Sequence, residues 1–67
     1  MRARRRPSLG SRIQFEMGNY VIEGTIVEDR GNLGVNGQHV WRVRVGADDQ
    51  QLTYEIADSR ITQVFAG

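Results

Sequence analysis

Cysteine and lysine are both absent from this chain, and histidine occurs once, at His39. The lack of cysteine excludes disulfides and thiolate metal sites together, and a single histidine cannot form a histidine-rich zinc site. No apolar run approaches the roughly 20 residues that a membrane-spanning helix needs, and no apolar segment follows the first arginines as in a secretory signal. We therefore expect a cytoplasmic protein that binds no metal, no other cofactor and no membrane.

The chain is also short, with only one proline and five aromatic residues. Its 67 residues allow a single domain. A domain of this size buries only about 60% of the surface that its unfolded chain exposes, so its core is small and its stability marginal. Because disulfides and metal sites are excluded, oligomerisation is the stabilising device that remains open.

Every basic residue is arginine, and the arginines are unevenly distributed. Four of them precede Pro7, whereas the rest of the chain combines five arginines with eight carboxylates and is therefore acidic. We interpret residues 1–10 as a disordered arginine-rich tail and residues 11–67 as the folded domain. The tail would neutralise nucleic-acid phosphates through Arg2, Arg4, Arg5 and Arg6. Nucleic-acid-binding domains usually carry basic charge on the folded surface, however, so a solvated terminus is the favoured interpretation.

From Ser11 onward the apolar residues recur with the period of two that is typical of half-buried strands. The pattern predicts five strands, at residues 12–16, 20–28, 39–45, 50–55 and 61–65. Between the last two, residues 56–60 are too few for a regular helix and predict a single tight turn or 3₁₀ turn. Alternation along the third and fourth strands predicts that five side chains face the core: Trp41, Val43, Val45, Leu52 and Tyr54.

Glycine marks two places in this pattern. Gly24 interrupts the second predicted strand, where glycine indicates a bulge, a sharp bend or a close backbone approach. Residues 29–38 form a loop whose three glycines and two asparagines permit positive φ in consecutive turns. This loop enters a strand and not a helix, so it is neither a Walker loop nor a dinucleotide fingerprint. The acid pairs at 28–29 and 48–49 are expected to lie in solvated turns.

Three segments, G-S-R-I-Q-F at 10–15, G-T-I-V-E-D-R-G at 24–31 and W-R-V-R-V at 41–45, resemble small bacterial SH3-like domains. Tudor-like and KOW-type modules and electron-transfer accessory subunits share this pattern. The resemblance covers nearly the whole chain after the tail, and it implies an all-β fold, a five-stranded SH3-like barrel. It is a likeness at the level of the fold, which does not assign a function.

A weaker resemblance connects residues 50–61 with the type II dihydrofolate reductases, SH3-like chains that act as tetramers around a central pore. Their V-Q-I-Y segment has a glutamine two places before its tyrosine, a position that Leu52 occupies here. Gln51 lies one place further away and points to the opposite face, and the family's pore lysine has no counterpart. The resemblance implies reduced-nicotinamide-dependent turnover by a tetramer whose pore is lined by four residues: Gln51, Leu52, Thr53 and Tyr54.

The residues themselves contain no catalytic constellation, since the three serines lack a persuasive histidine base and His39 fits a strand end. Our first hypothesis is therefore a non-enzymatic accessory module that contacts a protein partner, or a second copy of itself, through its outer sheet face and the 29–38 loop. A nucleic-acid-binding module and a reductase-like enzyme are the alternatives. For the strand arginines, the competing interpretation is cross-strand pairing with Glu23 or Glu55. The candidate partner-binding residues are Val21, Val27, Leu33, Val35, Val40, Arg42 and Arg44.

Overall fold

The computed structural model describes residues 6–46 and 50–65. Within these ranges the chain is all-β: five antiparallel strands form one sheet, and no α-helix is present. The strands run in the order β4-β3-β2-β1-β5. Their bounds are β1 (Arg12–Met17), β2 (Tyr20–Asp29), β3 (Val40–Val45), β4 (Leu52–Ala57) and β5 (Ile61–Phe65). The described part of the chain holds no helix long and apolar enough to cross a membrane.

The five predicted strands are confirmed, with differences at their ends. The largest concerns β4, which was predicted at residues 50–55 and in fact extends to Ala57. Ile56 and Ala57 pair with β3 and so belong to the sheet. The predicted 3₁₀ turn is therefore confined to Asp58–Arg60. Of residues 46–49, between β3 and β4, only Gly46 is among the described residues, and its φ is 110°.

The core draws at least one side chain from every strand. Trp41 is only 6% exposed, so its predicted place in the core is confirmed. Leu52 is 59% exposed, and its predicted core position is wrong. It is the first residue of β4 and pairs with Val45, the last residue of β3. The buried hydrophobic residues are Ile13, Phe15, Ile26, Trp41, Val43, Ile56, Ile61 and Val64.

Gly24 allows β2 and β3 to approach closely. A Cβ atom added to Gly24 would lie 2.5 Å from Cγ1 of Val43 and 2.9 Å from the carbonyl oxygen of Arg44. Of the three alternatives predicted for this glycine, the close backbone approach is therefore the one that the structure bears out. The bulge of β2 lies further along, at Val27, where the register with β3 shifts between Ile26 and Glu28.

Among the described residues, hydrogen bonds begin at Ser8, three residues before the predicted start of the domain. The backbone N–H of Ser11 donates to the carbonyl of Ser8, and that of Gly10 donates to the carbonyl of Ile26, both at 2.9 Å. These bonds attach the chain entering β1 to the middle of β2. Of the tail arginines, Arg6 is exposed, and the other three lie outside the described residues: Arg2, Arg4 and Arg5.

Candidate functional site

Two arginines and two glutamates form a closed ion-pair network on the outer face of the sheet. Arg42 contacts Glu55 through Nε at 3.0 Å and Glu28 through a terminal guanidinium nitrogen at 3.2 Å. Arg30 contacts the second oxygen of each glutamate, at 2.8 Å for Glu28 and 3.3 Å for Glu55. The hydrogen bond with Glu28 is the main cause that raises the pKa of Arg30. Each guanidinium in the network is thus matched by carboxylate oxygens of the same chain.

The β2 bulge creates this network, because it places Glu28 directly opposite Arg42. Of the two predictions for Glu28, its place in the second strand is confirmed and the solvated turn is wrong: it is a half-buried residue of β2 with two arginine partners. Cross-strand pairing of Arg42 with Glu55 was one of the two predicted interpretations, and it is observed. The other predicted partner, Glu23, instead lies 3.7 Å from Arg12.

The remaining candidate residues of the outer face are spread over the sheet. Arg44 is exposed between Thr25 and Thr53, and it forms no ion pair with any residue of 6–46 or 50–65. Val27 is 38% exposed, at the bulge. Val21 is 58% exposed but precedes Glu28 by seven positions on β2, about 23 Å along an extended strand. The predicted valine and arginine patch is thus interrupted by charged and polar side chains.

The loop between β2 and β3 presents two large aliphatic side chains to solvent. Leu33 is 70% exposed and Val35 is 81% exposed. Val40, a third predicted contact residue, is half-buried beneath this loop, since its Cγ2 lies 3.1 Å from a Cβ placed on Gly34. The apolar part of the loop surface therefore consists of Leu33 and Val35.

The backbone of this loop is ordered by its own hydrogen bonds. The N–H of Gly34 donates to the carbonyl of Gln38 at 2.8 Å, and a 3₁₀ turn occupies Val35–Gly37. The side-chain amide of Asn32 donates to the carbonyl of Gly37 at 2.8 Å. Positive φ occurs at Gly31, Asn36 and Gly37, which confirms the predicted consecutive turns.

The base of the loop is attached to the core through His39. Its Nε2 lies 2.6 Å from Oδ1 of Asp29, and its ring stacks on the indole of Trp41 with centroids 4.2 Å apart. The indole N–H of Trp41 donates to Asp58 at 3.3 Å. The N–H of Gly31, and secondarily His39, lower the pKa of Asp29 by hydrogen bonding to its carboxylate.

Sequence reasoning missed this cluster. Asp29 was expected in a solvated turn, but it ends β2 and accepts two hydrogen bonds. A signal was present in the Asp29-Arg30-Gly31 spacing, because an aspartate followed two residues later by glycine favours a local turn closed by the side chain. The acid pair at 48–49 lies outside the described residues.

The four residues suggested by the reductase resemblance lie on β4 or directly before it. Leu52 and Thr53 are exposed on β4, Tyr54 is half-buried on the same strand, and Gln51 precedes the strand. No group of three or more His, Asp or Glu side chains within the described ranges is placed to hold a metal ion. Comparisons of the chain with protein-family models, with curated proteins and with solved structures gave no match.

Proposed function

We propose that this protein is a small non-enzymatic binding module with an SH3-like fold, which contacts a protein partner through the loop at residues 29–38. The fold part of the proposal rests on the strand order and on the single 3₁₀ turn between β4 and β5. Register shifts in the β1–β5 and β2–β3 pairs add to it, because bulges let short strands bend toward a barrel.

The observation that carries the functional part is an ordered loop with an apolar tip. The side chains of Leu33 and Val35 are largely exposed to solvent. The backbone around them is nevertheless held in place by hydrogen bonds within the loop. A loop that is already ordered loses little conformational entropy on binding, so more of its contact energy appears as affinity. Exposed aliphatic side chains in such a loop are suited to burial against another protein.

Charge on the described surface favours a protein partner over a nucleic acid. Arg30 and Arg42 are both paired with glutamates of the same chain, and Arg12 lies near Glu23. Phosphate binding would have to compete with these carboxylates. The paired arginines therefore offer little free basic surface to support phosphate binding by the arginine-rich tail.

The test compares the wild type with two double variants in quantitative capture from a lysate of the source organism. Leu33→Ser with Val35→Ser removes the apolar tip of the loop. Val21→Ser with Leu52→Ser is the matched control, since it removes two exposed aliphatic residues elsewhere. We expect at least one protein to be captured by wild type and control and to be lost with the loop variant. An identical set of captured proteins for all three chains would refute the role of the loop.

Three further outcomes would point to the alternative functions, and the first measurement is the solution mass by light scattering behind a sizing column. A dimer that the loop variant converts to monomer would make the partner a second copy of this chain. A tetramer with reduced-nicotinamide-dependent turnover would replace the proposal with the reductase-like alternative. Salt-sensitive nucleic-acid binding that disappears on removal of residues 1–6, a cut that spares the Ser8 turn, would replace it with the tail-led alternative.

A further inference from the structure

The imidazole of His39 lies between a loop carboxylate and a core aromatic ring. Its Nε2 is 2.6 Å from Oδ1 of Asp29, and its ring is nearly parallel to the indole of Trp41, with an interplanar angle of 24°. An ionised carboxylate only accepts hydrogen bonds, so this contact is a hydrogen bond when Nε2 carries a proton. Because Trp41 is buried, the His39 ring connects the loop to a fixed part of the core.

His39 and Asp29 also close the two ends of the loop. The Oδ1 atom of Asp29 accepts the N–H of Gly31 at 2.9 Å, which shapes the first turn of the loop. The carbonyl of His39 accepts the N–H of Asp58 at 2.9 Å, which fixes the last residue before β3. The side-chain contact between His39 and Asp29 therefore spans the base of the loop.

We infer that the contact between His39 and Asp29 is a pH-sensitive latch, which holds the base of the loop more firmly when the imidazole is protonated. A protonated ring places a positive charge against the carboxylate and over the indole face, and both contacts are stronger for a cation. Loss of the proton leaves either a neutral hydrogen bond or, in the other tautomer, a lone pair facing the carboxylate. Histidine is the side chain whose ordinary titration lies between about pH 5 and pH 8. The latch concerns the order of the loop and stands whether or not the loop binds a partner.

The charged groups around the imidazole come from two elements. Asp29, at the end of β2, contacts the ring directly. Asp58, in the 3₁₀ turn before β5, accepts the indole N–H of Trp41 and donates its backbone N–H to the carbonyl of His39. Arg30, which follows Asp29 directly, and Arg42, three residues after His39, are both held in the ion-pair network on the outer face. Among the described residues, the imidazole thus has one ion-pair partner, the carboxylate of Asp29.

The test uses the full chain, which has one histidine and one tryptophan, so each signal belongs to a known residue. NMR would follow the His39 ring protons and the heteronuclear NOE of the Leu33 and Val35 amides between about pH 5 and pH 9. We expect the loop NOE to decrease over the same pH range in which the ring titrates. Trp41 fluorescence should change with the same midpoint. A loop NOE that stays constant while the ring titrates would overturn the inference.

Two variants and one control separate the latch from a general effect of charge. Asp29→Asn keeps an oxygen for the Gly31 N–H but removes the charge, and we expect it to lose at least half of the pH step in the loop NOE. His39→Gln should abolish the step. Glu23→Gln removes an exposed carboxylate elsewhere on β2 and should retain it. A full step in Asp29→Asn, or a step equally reduced in Glu23→Gln, would refute the latch.

Discussion

Replacing Gly24 with alanine tests the packing between β2 and β3 most directly. Local propensity alone predicts stabilisation, because glycine inside a strand costs about 0.5–1 kcal/mol relative to alanine. The tertiary contacts predict the opposite. The new Cβ would lie 2.5 Å from Val43 Cγ1 and 2.9 Å from the Arg44 carbonyl oxygen. Val43 is fully buried and the carbonyl belongs to a paired strand, so neither atom has space into which to move.

Overpacking of this kind typically costs about 1–3 kcal/mol, which exceeds the gain in propensity. We therefore expect Gly24→Ala to lower the free energy of unfolding by about 1–2 kcal/mol. In a domain of this size, that loss lowers Tm by about 5–15 °C. Urea and thermal unfolding monitored by the fluorescence of the buried Trp41 would measure both values. Glu23→Ala, an exposed neighbour on the same strand, is the control and should change stability by less than about 0.5 kcal/mol.

A double-mutant cycle with Val43→Ala would identify the atoms responsible. If Val43 Cγ1 dominates, Gly24→Ala should cost less in the Val43→Ala background, whereas a clash with the Arg44 carbonyl would persist unchanged. The reasoning fails if Gly24→Ala in the wild-type background unfolds at the same or a higher urea concentration than the wild type.

Three further predictions address the core, the ion pairs and the response to acid. Phe15→Ala, at a fully buried position of β1, should lower the free energy of unfolding by about 3–5 kcal/mol. Much of the chain should then be unfolded at 25 °C, as measured by circular dichroism. A cooperative transition near the wild-type Tm would contradict this. Glu55→Gln should lower Tm by no more than about 5 °C, and the difference should shrink in high salt, because exposed ion pairs are weak and screened. Hydrogen bonding lowers the pKa of Asp29 below its ordinary value of 3.8, so its contribution to stability is full above that value and is lost as the pH falls through the lowered pKa. Acid titration of Asp29→Asn should lack that loss, and identical acid-unfolding curves for variant and wild type would refute it.

The strands and their buried faces could be predicted because a strand and its sequence pattern share a period of two. Trp41 and Val43 therefore appeared as core residues before any tertiary information was used. The positive φ at Gly31, Asn36 and Gly37 also followed from local residue type. Alternation assigns a side chain to a face of the sheet but does not say how far the core extends along that face. Leu52 was assigned to the core by alternation and is nevertheless exposed.

The candidate site was less predictable, because it depends on a bulge and on contacts between distant residues. One extra residue at Val27 shifts the register and brings Glu28 opposite Arg42, which no local pattern of the sequence encodes. The contact between Asp29 and His39 joins the two ends of a ten-residue loop. This contact could not be predicted without knowing the path of that loop, although the local turn at Asp29 could have been recognised.

The sequence by itself determined an all-β chain, the positions of its five strands, a glycine-rich loop that contains Leu33 and Val35, and an acidic domain behind an arginine-rich segment. Only the tertiary structure decided which carboxylate neutralises which arginine, where β4 ends, and that His39 connects the loop to the core. The physical reason is that side-chain period and turn chemistry are properties of neighbouring residues. Register, bulges and burial depth depend on the strands that pack beside them.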